Sequence, residues 1–81
     1  MRPVMYHVEA AWDPDAGVWT ATSDDVPGLA TEATTLEGLA AKLRGLIPEL
    51  LEANQILTDS SSREIAFELS GHRHELIRLA S

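Results

Sequence analysis

No cysteine occurs among the 81 residues, which excludes a disulfide framework, a thiol nucleophile and thiolate metal ligation. Aromatic residues make up only 5% of the chain, so Trp12 and Trp19 are its largest apolar surfaces. No apolar run approaches the roughly 20 residues needed to span a bilayer. The opening Met1-Arg2-Pro3-Val4-Met5-Tyr6-His7 lacks the long apolar core of an export signal. A cytoplasmic location is therefore expected. Basic residues are scarce: six Lys and Arg face thirteen Asp and Glu, for a net charge of −7. Residues 1–37 hold seven acids and one base, Arg2, whereas the remainder is nearly balanced with six acids and five bases. Such an acidic half repels nucleic acid and suits a basic protein, a cation or plain solubility. Gly-rich phosphate loops, Ser-His-Asp groupings and dinucleotide motifs are missing as well.

A hydrophobic content of 44% is ordinary for a folded protein and sets aside wholesale disorder. The length fits one small domain, residues 1–81, with a core over about 4–70 and a tail, 71–81, suited to oligomerisation. A domain this small buries about 60–65% of its unfolded surface, so self-association would add needed stability.

Val4–Trp12 alternates, with Tyr6, Val8, Ala10 and Trp12 on one side, which predicts a half-buried strand. Asp13-Pro14-Asp15-Ala16-Gly17 is a reversing turn, and Val18–Ser23 is the returning strand. Pairing Asp13 with Val18 sets Trp12 against Trp19 and Ala10 against Ala21. Asp24-Asp25-Val26-Pro27-Gly28 forms a second turn before a short strand over Leu29–Ala33. Thr34 has capping-box spacing to Glu37, and Leu36, Leu39, Ala40, Leu43, Leu46, Ile47, Leu50 and Leu51 form one helical stripe. Pro48 predicts a kink within that helix and Asn54 its end, while Gly38 and Gly45 suggest close packing. Gln55–Ser62 reads as a polar loop, Arg63–Ser70 as a fourth strand, and His72–Ser81 as a strand extension or a helical turn. The order β-β-β-α-β gives an α+β fold, an antiparallel three- or four-stranded sheet with one helix on one face.

Trp12 through Glu37, with its hairpin, its Asp25-Val26-Pro27-Gly28 turn and its Thr35-Leu36-Glu37 helix start, resembles the N-terminal domain of HicB-type antitoxins. The likeness spans roughly residues 4–70. Pro48-Glu49-Leu50-Leu51-Glu52-Ala53-Asn54 looks like a sub-branch of HicB-like proteins with no established role. The resemblance implies a partial ribonuclease-H-like fold without its catalytic centre, a homo-oligomer, and inhibition of a small basic ribonuclease toxin. Full-length relatives of that kind append a DNA-binding module. Only eleven residues follow Ser70, so no DNA binding is expected, and no membrane binding either.

Asp13, Asp15, Asp24, Asp25 and Glu32 invite two readings. As a weak metal-dependent nuclease, Asp13, Asp24 and Asp25 would converge on metal ions. Turn chemistry already explains those positions, so no enzymatic role is expected. As a binding surface, the five carboxylates with Val26, Pro27, Gly28 and Leu29 would meet a basic toxin, charge steering the encounter and an apolar residue anchoring it. An orphan domain that only self-associates is the remaining alternative. His72 and His74, spaced to share a strand face, could join His7 on a metal, but three histidines without fixed geometry make a weak site. No cofactor is expected.

Overall fold

The computed structural model describes residues 5–56 and 64–80. β1 (Met5–Asp13), β2 (Val18–Thr22), β3 (Ala30–Ala33), α1 (Leu36–Ala53) and β4 (Ala66–His72) follow in that order. The fold is α+β: a four-stranded sheet in the order β3-β2-β1-β4, with α1 on one face.

Hairpin β1–β2 has the register that the alternation sets: Asp13 opposite Val18, Trp12 opposite Trp19 and Ala10 opposite Ala21. Gly17 adopts φ +68° and Gly28 φ +81°, conformations that cost a residue without Cβ little. They close the two turns. β3 runs antiparallel to β2, and it starts at Ala30 because Leu29 turns into the core at 6% exposure.

The expected all-antiparallel sheet is corrected in one respect. β4 runs parallel to β1, pairing Tyr6 with Phe67 and Val8 with Leu69, so the sheet is mixed. The cause is the connection. α1 returns the chain across the sheet after β3, so the next strand must run in the direction of β3, which is also that of β1. β4 also continues two residues past Ser70, to His72. Residues 57–63, which cover most of the expected polar loop, lie outside the described residues.

α1 buries Leu39, Leu43, Ile47 and Leu51 against Val8, Ala10, Ala21, Val26 and Leu29. The helix cap is Thr35 rather than Thr34: its hydroxyl accepts from the backbone N–H of Gly38 at 2.9 Å. A side chain at position 38 would sit 3.0 Å from that hydroxyl, so a tight fit explains Gly38. The same expectation fails at Gly45, whose Cβ position has nothing within 4 Å. The helix continues through Pro48 to Ala53, and Asn54 caps it. Beyond the cap, Ile56 donates to the carbonyl of Leu51 at 2.8 Å and Gln55 to that of Glu52 at 3.0 Å, a paired helix-end closure with Gln55 at φ +60°.

Candidate functional site

Among the described residues a single helix covers a single face, so alternate residues of every strand point away from it. On that uncovered face stand His7 and Glu9 of β1, Thr20 and Thr22 of β2, Glu32 of β3, and Glu68, Ser70 and His72 of β4. None of the four strands contains a Lys or Arg. Met5, Ala11, Val18, Ala30 and Ala66 share the face, so it is mixed in polarity, and the Asp and Glu side chains on it face no Lys or Arg from the strands.

At the end of β2 the ladder beside His7 runs out, since Thr22 pairs with Glu9 and the chain then turns away. Two side chains from the turn take over. The Asp25 carboxylate accepts from the His7 backbone N–H at 2.7 Å, and His7 Nδ1 lies 3.0 Å from the same oxygen, Oδ2. A hydrogen on Nδ1 completes that second bond, because an ionised carboxylate only accepts. The Ser23 hydroxyl donates to the His7 carbonyl and accepts from the N–H groups of Asp25 and Val26 at 3.1 and 3.2 Å. The backbone hydrogen bond from His7, then that of its side chain, holds the Asp25 carboxyl below its ordinary value of 3.8.

Ser23, His7 and Asp25 thus occupy one corner with the residue types of a hydrolase triad, yet their bonds are spent otherwise. Nucleophilic catalysis needs the hydroxyl within reach of the imidazole. Here that hydroxyl closes a turn on backbone groups. The corner opens onto a shallow cleft of about 200 Å³ lined by His7, Glu9, Thr22, Ser23, Asp24 and Asp25. On the other side of His7, Nε2 stands 3.8 Å from Glu68 Oε1. Sequence alternation sets His7, Glu9 and Glu68 on the side away from the core, but sequence reasoning left them out of the candidate site. Their alternation with Val8, Ala10 and Leu69 was the signal that places them there.

The expected site residues divide. Asp24 and Asp25 lie together in the cleft. Asp13 and Asp15 lie at the opposite end of β2, whose five residues span roughly 17 Å at about 3.4 Å each. There the Asp13 carboxylate accepts from the N–H groups of Asp15 and Ala16 at 3.1 and 3.3 Å, stabilising the hairpin turn. Asp13 and the pair Asp24–Asp25 therefore do not converge on a common centre. Glu32 stands on the uncovered face beside Thr20, and Lys42 Nζ donates to its backbone carbonyl at 2.6 Å, leaving the carboxylate outward.

Val26 and Leu29 require correction as partner anchors: they are 0% and 6% exposed, members of the core. Their burial follows from the turn folding under the helix end, where the Asn54 amide reaches the Pro27 carbonyl at 3.4 Å. Pro27 and Gly28 remain exposed. His7 and His72 are also kept apart. They lie opposite Glu68 and Ala11 respectively, a separation of roughly 13 Å along the strands. Among the described residues no three His, Asp or Glu side chains are grouped to hold a metal ion. Trp12 and Trp19, half-buried, pack at 5.4 Å with their rings tilted by 60°, and the Arg73 guanidinium lies 4.3 Å above Trp12.

A family model described as "Domain of unknown function (DUF1902)" matches residues 5–81, and the chain belongs to that family. Among solved structures it is similar to the "hypothetical protein TTHA1013" of the extremely thermophilic bacterium Thermus thermophilus. Identity is 46% and the TM-score 0.65, over 94% of this chain and 100% of that one. No curated protein matches. Among the described residues no helix is long and apolar enough to cross a membrane.

Proposed function

We propose that this chain is a HicB-like protein-binding module, an antitoxin-type inhibitor that captures a small basic ribonuclease on the uncovered face of its sheet. The observation that supports this reading is the make-up of that face: Glu9, Glu32 and Glu68, bordered by Asp24, with no Lys or Arg on any strand. A basic enzyme that grips RNA presents the complementary charge. Attraction of this kind accelerates encounter and orients the partners. The toxin partner itself enters through the resemblance of the hairpin, the Pro27-Gly28 turn and the Thr35 helix start.

In this reading the residues divide by role. Glu9, Asp24, Glu32 and Glu68 make the attraction, and Pro27 and Gly28 form the exposed rim. Asp25 acts indirectly, because its carboxylate holds the turn to His7. Asp13 and Asp15 belong to the far hairpin and contribute only long-range field. Inhibition is steric, since a ribonuclease whose cationic groove is covered cannot admit RNA.

Co-expression of the chain with the product of the adjacent open reading frame, which this reading expects to be a short basic protein, tests the proposal. The expected result is a stable complex and suppressed RNA cleavage, both lost in the triple variant Glu9→Lys, Glu32→Lys, Glu68→Lys. A complex that survives this reversal refutes the face. RNA cleavage by the isolated chain with Mg²⁺ or Mn²⁺ would instead favour the nuclease reading.

A further inference from the structure

Among the described residues β4 has a neighbour on one side only. β1 pairs along one edge, and the other edge leaves a row of backbone groups unpaired, a template for another strand. Its inward residues are also poorly covered. α1 lies over β2 and β3, so Phe67 and Leu69 stay half-buried. Between helix and strand lies a groove of about 120 Å³ lined by Leu43, Ile47, Pro48, Ile65 and Phe67, with Arg44 as its one charged member.

Beyond β4, residues 73–80 contain no turn, bend or helix and are exposed throughout. Leu76, Ile77 and Leu79 are 87%, 81% and 85% exposed. The segment projects from the body: the radius of gyration is 15.6 Å and the longest extent 62 Å, against a radius of roughly 12 Å for a compact chain of this length. Its root is fixed, with Arg73 over Trp12 and bonded to Glu75 at 2.9 Å. The segment runs on away from the groove that lines the start of its own β4. Phe67 and Leu79 are twelve residues apart, roughly 40 Å of extended chain. Without a reversal a chain cannot fill its own groove.

We infer that a second copy of this chain fills it. Two copies related by a two-fold axis near Arg73 lay their 73–80 segments antiparallel along each other's β4. That register sets Ile77 opposite Leu69, Leu79 opposite Phe67 and Arg78 opposite Glu68. Directly opposed residues share a face. Ile77 and Leu79 therefore turn inward over the groove, and Arg78 meets an acid on the outer side. Each copy closes the other's open edge, an isologous contact that ends at the dimer.

Sedimentation and an engineered cross-link test this. The full chain is expected to sediment at micromolar concentration with twice its mass of 8.8 kDa. Ile77→Asp with Leu79→Asp, both at exposed positions, should halve that mass while the far-ultraviolet circular dichroism is kept. The native chain has no cysteine, so a variant carrying Glu68→Cys and Arg78→Cys reports on one register. It should form a covalent dimer on mild oxidation, and each single variant should not. A monomeric wild type, a mass unmoved by the aspartates, or a double variant that stays uncross-linked would each overturn the inference. None of these readouts involves a basic partner; Glu68 serves both readings, so the pair Glu9→Lys with Glu32→Lys, which leaves the β4 edge untouched, separates a lost partner from a lost dimer.

Discussion

The two faces of the sheet are made by the same strands and obey opposite rules. Toward the helix, Val8, Ala10 and Ala21 are at most 1% exposed and meet Leu39, Leu43, Ile47 and Leu51, none above 1%. Away from it, His7, Glu9 and Glu68 sit in water and are tied only where the ladder frays. Side chains one residue apart in sequence therefore answer to packing on one face and to charge on the other. Changes to the inward face should be felt as stability, and changes to the outward face chiefly as binding.

The largest expected effect lies inward. Leu43→Ala removes a fully buried side chain and should cost about 2–5 kcal/mol, read as a lowered denaturant midpoint. A midpoint unmoved by this change would break the distinction at its root. Thr35→Ala removes the hydroxyl that caps Gly38 and should cost about 1 kcal/mol in the same assay. Gly45→Ala should act in the opposite sense. With open space around that position, alanine's better helix propensity should stabilise by about 0.5–1 kcal/mol.

The smallest effect belongs to Asp25, exposed and held to His7. Its carboxyl is lowered from 3.8 by the hydrogen bonds of His7, so the ionised form is the one the fold favours. That contribution is complete above the ordinary value and fades as pH falls through the lowered one. Asp25→Asn should flatten the acid end of the stability profile and leave the neutral region nearly level. A variant profile parallel to wild type at low pH would remove Asp25 as the lock.

How far these features can be read from residues alone follows the range of the physics. The hairpin register is legible because Trp12, Trp19, Ala10 and Ala21 alternate on one side and the turn length fixes the pairing. The helix is legible because its leucines recur at steps of three and four. Alternation says nothing about strand direction, so the parallel sense of β4 emerges only when the return trip through α1 is followed. Val26 and Leu29 belong to a turn with no period, which leaves their burial invisible. The Asp25–His7 bond joins residues eighteen apart, and nothing local marks it. Capping-box spacing to Glu37 points to Thr34, and only the backbone geometry shows that the Thr35 hydroxyl is the one that accepts from Gly38. The acids were legible by number, but their division between the two ends of β2 was not.

Calorimetric titration of the product of the adjacent open reading frame, which the proposed function expects to be a short basic protein, into wild type and into the Glu9→Lys, Glu32→Lys, Glu68→Lys variant at two salt concentrations, addresses the outward face most directly. The expected result is wild-type affinity that falls as salt rises, and binding at least about 100-fold weaker in the variant, equivalent to about 2.7 kcal/mol. Equal affinity for both proteins, insensitive to salt, would contradict it.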